Sequence, residues 1–575
     1  MNEWIHVGVA WPYSNGDMHI GHLAGAYLPA DIFARYHRLA GNRVLMVSGS
    51  DSHGTPVLLT ADAEGKEPRA VFEHYHERLL RAQQQIGISY DLYTHTDTEN
   101  HWQVSQDIFM RLYEQEYLYR EIQKQLYSET EDRFLPDRYV EGTCPHCGYD
   151  EARGDQCDSC GQILDAIELI DPRSKIDGSK PIVRETEHFF FDLPAFTDAL
   201  LDYIGDDKDH WRANVANFTR NFIEGGLKGR PITRDIDWGI NVPLPGFEDK
   251  RIYVWFEAVI GYLSASVEWA KITGQPEAWK DWWYKDEAKV YNFIGKDNIV
   301  FHTVMWPAEL MGIDGFYRED DEPINLPYDV PANEFMNIEG RQFSKSRNWA
   351  IWLYDILERY DPDAIRYYVA SSFPETRDTD FDWAEFVAHN NNELVATWGN
   401  LVNRMLGFAR KHFGAVPDPG ELRPEDEAII AEVEAGFETT GDLIGRVKLR
   451  QALDQTMALA QAANRYLDER APWFEIKEDK AQAAKSVYTV LRVIDNLKVL
   501  FAPFLPFSSE KLHGYLGYDA PLFGALDAQT FAEETREHLA LTYDGSAAAG
   551  RWEPSALPVG QEIRKPKPLY QKLDE

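Results

Sequence analysis

The sequence predicts an α/β chain: a parallel sheet, a metal-binding insertion inside it, and an all-α bundle after it. Three observations carry this. The first fifty residues alternate an apolar β-prone run, a turn, an amphipathic helix and a second apolar run, the βαβ pattern of a parallel sheet. All four cysteines fall between residues 144 and 160. Residues 388–535 carry apolar stripes of helical period.

In order, a first strand is read over residues 4–11, from Trp4 to Trp11, followed by a dense turn signal from Pro12 to Asp17. A helix is read from Met18 to Leu39, with Ile20, Leu23, Ala24, Tyr27, Ile32, Phe33 and Tyr36 on its buried stripe. A second strand, Val44 to Val47, runs into the Gly/Ser loop Ser48 to Thr55. Residues 1–116 thus form the first half of the sheet. Residues 117–230 break the pattern with polar β-like segments around the cysteines and read as an insertion. Strand signals at Arg251 to Phe256 and Lys289 to Gly295 are expected to complete the sheet within 231–324. A loop-rich segment spans 325–387. In the bundle, Ala452, Leu453, Thr456, Met457, Ala460, Ala463 and Leu467 share one face, and Val487, Val490, Leu491, Ile494, Leu497 and Phe501 another. Pro503 and Pro506 stop the latter helix. Residues 536–575, rich in Pro, Gly and Ala, read as a docked tail.

The chain has 575 residues, 44% hydrophobic and 27% charged, a soluble globular composition that excludes dominant disorder. It lacks the roughly 18-residue apolar run of a membrane span and a basic, signal-like start, so a cytoplasmic protein is expected. The net charge of −37 repels nucleic acid at long range and, taken alone, argues against a nucleic-acid binder. Aromatics at 13% suit aromatic-lined pockets.

Cys144, Cys147, Cys157 and Cys160 form C-x2-C-x9-C-x2-C. Two CxxC pairs in a chain with no secretion signal read as a zinc site more than as disulfides. Four thiolates suit tetrahedral, structural Zn²⁺ with no open position. Gly148 and Gly161 follow the second cysteine of each pair, where a tight turn is needed.

His19-Ile20-Gly21-His22 opens the first helix, just after the first strand. Two histidines there add donors where helix N–H groups already bind anions, and Gly21 leaves room for a flat ring. Far downstream lies a basic, hydroxyl-rich loop, Gly340-Arg341-Gln342-Phe343-Ser344-Lys345-Ser346-Arg347. Either motif alone is weak. Together, on a sheet with an inserted cysteine knuckle, they resemble the paired signatures of class I aminoacyl-tRNA synthetases.

The resemblance narrows to the methionyl-tRNA synthetase family through Ala10-Trp11-Pro12-Tyr13-Ser14-Asn15-Gly16, Gly49-Ser50-Asp51-Ser52-His53-Gly54-Thr55, Tyr253 to Tyr262 and Phe293 to His302, the last two read as pocket strands. The gap between the two signatures is too short for the large editing insertion of the isoleucine, valine and leucine enzymes. The resemblance implies a Rossmann-type catalytic domain with a zinc-knuckle insertion, then an all-α anticodon-binding domain. It implies His19, His22 and Lys345 as catalytic groups and Gly21, Gly295, Asp297, Ser344 and Lys345 as ATP contacts. Around methionine it places Ala10, Trp11, Tyr13, Asp51, Trp255, Ala258, Tyr262, Phe301 and His302, with Asp51 on the α-ammonium. It matches Asn400, Arg404 and Trp473 to anticodon-reading positions. The implied substrates are ATP with Mg²⁺, L-methionine and tRNA(Met), and a monomer is expected because no dimerising domain follows the bundle. One departure stands out: Gln342 takes the place of the signature loop's first lysine, with Arg341 beside it. Other readings are another class I synthetase, a nucleotidyl transferase sharing the first motif, and a non-catalytic tRNA-binding paralogue. The first motif's enzymes are usually shorter and lack such a bundle, and intact His19, His22, Asp51 and Lys345 argue against the paralogue.

Overall fold

The computed structural model describes residues 2–136, 139–154, 157, 159–160, 164–205, 208–318, 322–343 and 349–574. Its main sheet is built from β1 (Trp4–Val9), β2 (Arg43–Ser50), β3 (Leu92–His95), β4 (Ala288–Gly295), β5 (Pro327–Asp329), β6 (Ala525–Ala532) and β7 (Glu537–Asp544). The order across the sheet is β5-β4-β1-β2-β3-β7-β6. β5, β4, β1, β2 and β3 are parallel. Every residue of β1 is buried, as in a parallel strand covered on both faces. The chain adds β2 and β3 on one side of β1, then returns after the insertion to place β4 on the other. That reversal leaves a crevice at the carboxyl ends of β1 and β4, where open α/β sheets bind ligands.

The helix after β1 starts at Ile20, two residues later than read from the sequence, because His19 is extended (φ −116°, ψ 167°). It widens into a π turn over Leu23–Tyr27 and continues as Leu28–Leu39. Such turns recur at functional sites, and here Asn333 Nδ2 donates to Ala24 O (2.8 Å). In the insertion, Leu118–Ser128 pairs antiparallel with Ile182–Phe191, and Val140–Thr143 lies between Ala152–Arg153 and Ile170–Ser174.

Four expectations need correction. Arg251 to Phe256 is not a strand of the sheet. Arg251–Ile252 pairs with Thr233–Arg234 in a separate ribbon, and Val254–Ile272 is a helix. That helix is buried on most sides, so apolar residues stand on most of its faces, and a short apolar run does not distinguish strand from buried helix. The pocket segments are therefore this helix and, after β4, helical turns at Lys296–Asn298 and Phe301–Met305, not two strands. The segment 325–387 is not mainly loop: it contributes β5, three short strands and the helices Leu353–Leu357 and Pro362–Ser371. The latter begins on a Pro at its first position with Asp361 accepting from Asp363 N, a strong start signal. Finally, the bundle does not run to 535. Its helices end at Tyr515, and the β6–β7 hairpin returns to pair antiparallel with β3. The part of the tail beyond the hairpin does dock: Leu557, Ile563, Leu569 and Tyr570 are buried, and Tyr570 donates to Ser508 Oγ (2.6 Å).

One ion pair joins sheet and bundle. Arg366 Nη2 meets Asp31 Oδ2 at 2.7 Å, with both side chains fully buried. The same guanidinium donates to the carbonyls of Ile86, Pro503 and Phe504. Asp31 also receives Arg35 (2.9 Å) and the amide and hydroxyl of Ser89. Burial pushes the Asp31 carboxyl up, but Arg35, Arg366 and Ser89 outweigh it and hold it down at about 2. The stabilisation it gives is complete above the ordinary carboxyl value of 3.8 and is lost as pH falls through about 2. Arg366→Met leaves Asp31 short of its deepest partner, so it is expected to cost about 3–5 kcal/mol, read as a lower Tm by calorimetry.

Candidate active site

The His19–His22 pair sits at the start of the helix that leaves β1. Backbone pairing fixes it from outside: Ile20 N donates to Ile351 O (3.0 Å) and Leu353 N to Met18 O (2.8 Å). The two imidazoles stack at 3.7 Å between centroids. His19 N donates to His22 Nδ1 (3.2 Å), so a neutral His22 carries its proton on Nε2, where it can serve as a donor. Phe343 stacks on His19 at 4.8 Å, and a Cβ on Gly21 would lie 2.7 Å from the Phe343 ring. The strip of backbone beside Gly21 thus already holds a flat ring. Gly295 ends β4 on the neighbouring strand, and Asp297 follows in the turn Lys296–Asn298, exposed. Ser344 and Lys345 lie outside the described residues. Gln342 is exposed, and Arg341 lies over Trp349 (5.8 Å).

Next to this the loop after β1 meets the loop after β2. Tyr13 and Asp51 form a parallel bridge, and Asp51 O accepts from the amide and hydroxyl of Ser14 (2.9 and 2.8 Å). Tyr13 packs edge-on against Trp255 (6.0 Å), and Trp255 stacks on Phe301 (4.3 Å). Ala258 lies one turn on, half-buried. Ala10 ties the floor together, its N–H donating to Phe293 O (3.0 Å) and its carbonyl accepting from Tyr27 Oη (3.1 Å). The Trp11 indole is wedged where a Cβ on Gly49 or Gly261 would stand, 2.1 and 2.6 Å from its ring atoms.

Tyr262 Oη and His302 Nε2 are 2.6 Å apart and buried. Burial lowers His302 to about 4, so the ring is neutral near pH 7. Its Nδ1 faces Asn298 O (2.8 Å) and must donate there. Nε2 is then the acceptor, and Tyr262 donates to it. Asp51 is buried. Burial, and then Glu257, push its carboxyl well above the usual range, so an arriving ammonium would be welcomed as its counter-charge.

Beneath lies a polar cluster that the sequence reading passed over. His53 Nδ1 meets both oxygens of Glu257 (2.9 Å), and its Nε2 meets Asp97 Oδ1 (3.5 Å). Burial disfavours the His53 cation, but Glu257 and Asp97 overcome this and raise it to about 10. Glu257 stands inside the apolar run Val254-Trp255-Phe256-Glu257-Ala258-Val259, and a charge in such a run was the available signal.

Away from the crevice, the four cysteine sulfurs lie within 4.8 Å of one another. Cys144–Cys160 is 3.9 Å and Cys147–Cys157 3.6 Å, far beyond the ~2.05 Å of a disulfide. Sulfurs 2.3 Å from a tetrahedral centre would be roughly 3.8 Å apart, so the set fits one metal ion. Burial raises both thiols, but the backbone N–H groups of His146 and Cys147 at Cys144, and of Ser159 and Cys160 at Cys157, together outweigh it and favour thiolates, bringing Cys157 down to about 7. Gly148 adopts φ +75°, the turn expected there; Gly161 lies outside the described residues. On the bundle, Asn400 and Arg404 are a turn apart on the helix Asn400–His412, and the Arg404 guanidinium lies over Trp473 (4.7 Å).

Comparison with known proteins bears on this directly. Residues 5–406 match the family model described as tRNA synthetases class I (M), and residues 416–542 match the anticodon binding domain of methionyl tRNA ligase. The chain belongs to the methionine group of class I tRNA synthetases. Methionine–tRNA ligases of Thermomicrobium roseum and Chloroflexus aggregans are 58% and 54% identical, over 100% of this chain and 97% and 98% of theirs. The Mycobacterium tuberculosis methionyl-tRNA synthetase in complex with methionyl-adenylate superposes with a TM-score of 0.76 at 25% identity, covering 99% of this chain and 100% of that one. The fold expectation for this synthetase, a parallel sheet with a four-cysteine insertion and a helical C-terminal domain, stands.

The structure brings His19, His22, Gly21, Ala10, Tyr13, Asp51, Trp255, Phe301, Tyr262 and His302 to one end of the synthetase's sheet. It sets the anticodon candidates and the cysteines elsewhere. Gly21→Ala is expected to place a methyl where the flat ring lies, and so to weaken ATP binding by at least about tenfold, given the steep cost of crowding a packed contact. Calorimetric titration of ATP into the variant measures this.

Proposed function

We infer that the chain activates L-methionine with ATP and transfers it to tRNA(Met), the reaction for which its methionine–tRNA ligase relatives are named. The observation that carries this reading is the meeting, across one crevice, of the stacked histidines and the Asp51–Trp255–Tyr262–His302 pocket. The methionine carboxylate attacks the α-phosphorus of ATP, the bond to pyrophosphate breaks, and methionyl-adenylate forms. The terminal ribose hydroxyl of tRNA then attacks the acyl carbon and releases AMP. Neither step needs a protein nucleophile. Catalysis is positioning and stabilisation of phosphate charge.

His19, His22 and the helix start meet the phosphates of ATP, which enters with Mg²⁺ as its substrate complex. Lys345 and Ser344 complete that set from the signature loop. Phe343 leaves Gly21 as the base takes its place, while Gly295 and Asp297 meet the ribose. Asp51 binds the α-ammonium by a charge-assisted bond. Trp255, Ala258, Phe301, Ala10, Trp11 and Tyr13 enclose the thioether, a soft group that aromatic walls suit. Tyr262 stays fixed by His302, so its oxygen reports the sulfur position. Asn400 and Arg404 read splayed anticodon bases, with Trp473 as a stacking surface. The chain acts as a cytoplasmic monomer.

Zn²⁺ is the metal that the four thiolates would hold, and it would brace the insertion without touching substrate. Cys157→Ala is expected to lose one Zn²⁺ per chain and to destabilise the insertion, since metal binding is folding energy there. Elemental analysis with protease sensitivity checks both, and an absence of stoichiometric metal in the wild type would remove the site.

The functional reading is tested by methionine-dependent ATP–pyrophosphate exchange, alongside aminoacylation. Wild type should show both. Trp473→Ala should keep exchange and lose charging by about tenfold to a hundredfold in kcat/KM, since stacking contributes roughly 1–3 kcal/mol per base. Equal loss of both activities, or unchanged charging, would mean that Trp473 only caps the bundle.

A further inference from the structure

We propose that Arg536, on the C-terminal hairpin, is a positioning residue for the amino-acid pocket of the active site read above. The hairpin reaches the sheet from beyond the bundle, and its tip is fastened to the helix Glu99–Glu114: Glu99 accepts from the amides of Glu534 and Thr535 (2.8 and 3.0 Å). From that tip Arg536 Nη1 donates to Asp97 Oδ2 at 3.0 Å, its guanidinium lying over Trp102 (4.3 Å). Asp97 is wholly buried and faces His53 with its other oxygen (3.5 Å). His53 in turn bridges to Glu257 (2.9 Å), while its backbone N–H donates to Asp51 Oδ1 (3.2 Å).

Each end of this chain of contacts is a wall of the pocket. Asp51 follows β2. Glu257 lies between Trp255 and Ala258 on the helix that forms the opposite wall. A charged imidazole between two carboxylates braces loop to helix, provided that Asp97 is held in place. Besides His53, Asp97 has two arginine partners, and they differ. Arg69 (2.7 Å) is 41% exposed, whereas Arg536 is 18% exposed, so Arg536 is the less screened of the two. The same hairpin places His538 on Glu268 (2.8 Å), lower on the Glu257 helix. The hairpin thus holds one pocket wall at two points. Arg536 touches no substrate position; it acts through Asp97 and His53.

The proposal rests on the activity inferred above, and one experiment separates the two. Pyrophosphate exchange is measured on the full chain with methionine and ATP varied in turn, for wild type, Arg536→Ala, Arg536→Lys and the hairpin control Gln529→Ala. For Arg536→Ala the methionine KM should rise about tenfold, the scale of coupling carried through such networks. The ATP KM, kcat and the Gln529→Ala values should stay within about twofold of wild type, and Arg536→Lys should recover most of the loss because it keeps the charge. A methionine KM unchanged in Arg536→Ala overturns the proposal. So does a joint worsening of both KM values, kcat and Tm without rescue by lysine, the pattern of a merely structural residue. Should Arg536→Ala fail to fold, Arg536→Gln takes its place, and equal methionine KM values in the Gln and Lys variants overturn the proposal. Absence of methionine-dependent exchange in the wild type defeats the activity itself.

Discussion

A single guanidinium, fully buried at the seam between sheet and bundle, sets the geometry on which the rest depends. Arg366 reaches Asp31 on one side and the carbonyls at the end of the last long bundle helix on the other. Asp31 lies on the same continuous helix that begins at Ile20 and carries Gly21 and His22 in its first turn. Nine residues separate His22 from Asp31 and twelve separate His19 from it, roughly 14–18 Å along the helix axis. The histidine end of the crevice and the root of the bundle are therefore two points on one rod. Burying two opposite charges is costly, and such pairs persist where specificity of arrangement matters more than raw stability.

Charge is distributed to match. The helix Pro424–Gly445 carries Glu425, Glu427, Glu432, Glu434, Glu438 and Asp442, a solvated acidic face. The helix end with Arg410 and Lys411, and the Arg404–Trp473 contact, lie on another helix pair. Repulsion from the acidic faces is screened beyond about 8 Å at physiological salt, so a polyanion can be met by a few short-range cationic and aromatic contacts on an acidic protein.

The βαβ opening, the cysteine knuckle and the histidine pair were legible because each depends on local pattern: apolar period, cysteine spacing, a turn before a helix. Arg251 to Phe256 was misread because a helix buried on most sides loses its polar stripe and looks like a strand. The β6–β7 hairpin was hidden for the opposite reason. Its strands are half-exposed and polar, as in Ala525-Leu526-Asp527-Ala528-Gln529, and what fixes them is pairing with β3, more than 400 residues earlier in the chain. The pocket aromatics were named only through resemblance. Their neighbours His53, Asp97 and Glu257 were missed because a buried charge network is written in contacts between distant segments, and only Glu257 leaves a trace in its own sequence.

Trp11 fills space that two glycines leave open, Gly49 on β2 and Gly261 on the pocket helix. The depth of the pocket is thus encoded by side chains that are missing, from segments about two hundred residues apart. A larger residue at either glycine has no room unless the indole shrinks, and a smaller residue at Trp11 opens a void that neither glycine can fill. The three positions are locked into joint inheritance: lineages that alter this floor must do so by coordinated replacement, so a Trp11 retained in a relative forecasts both glycines.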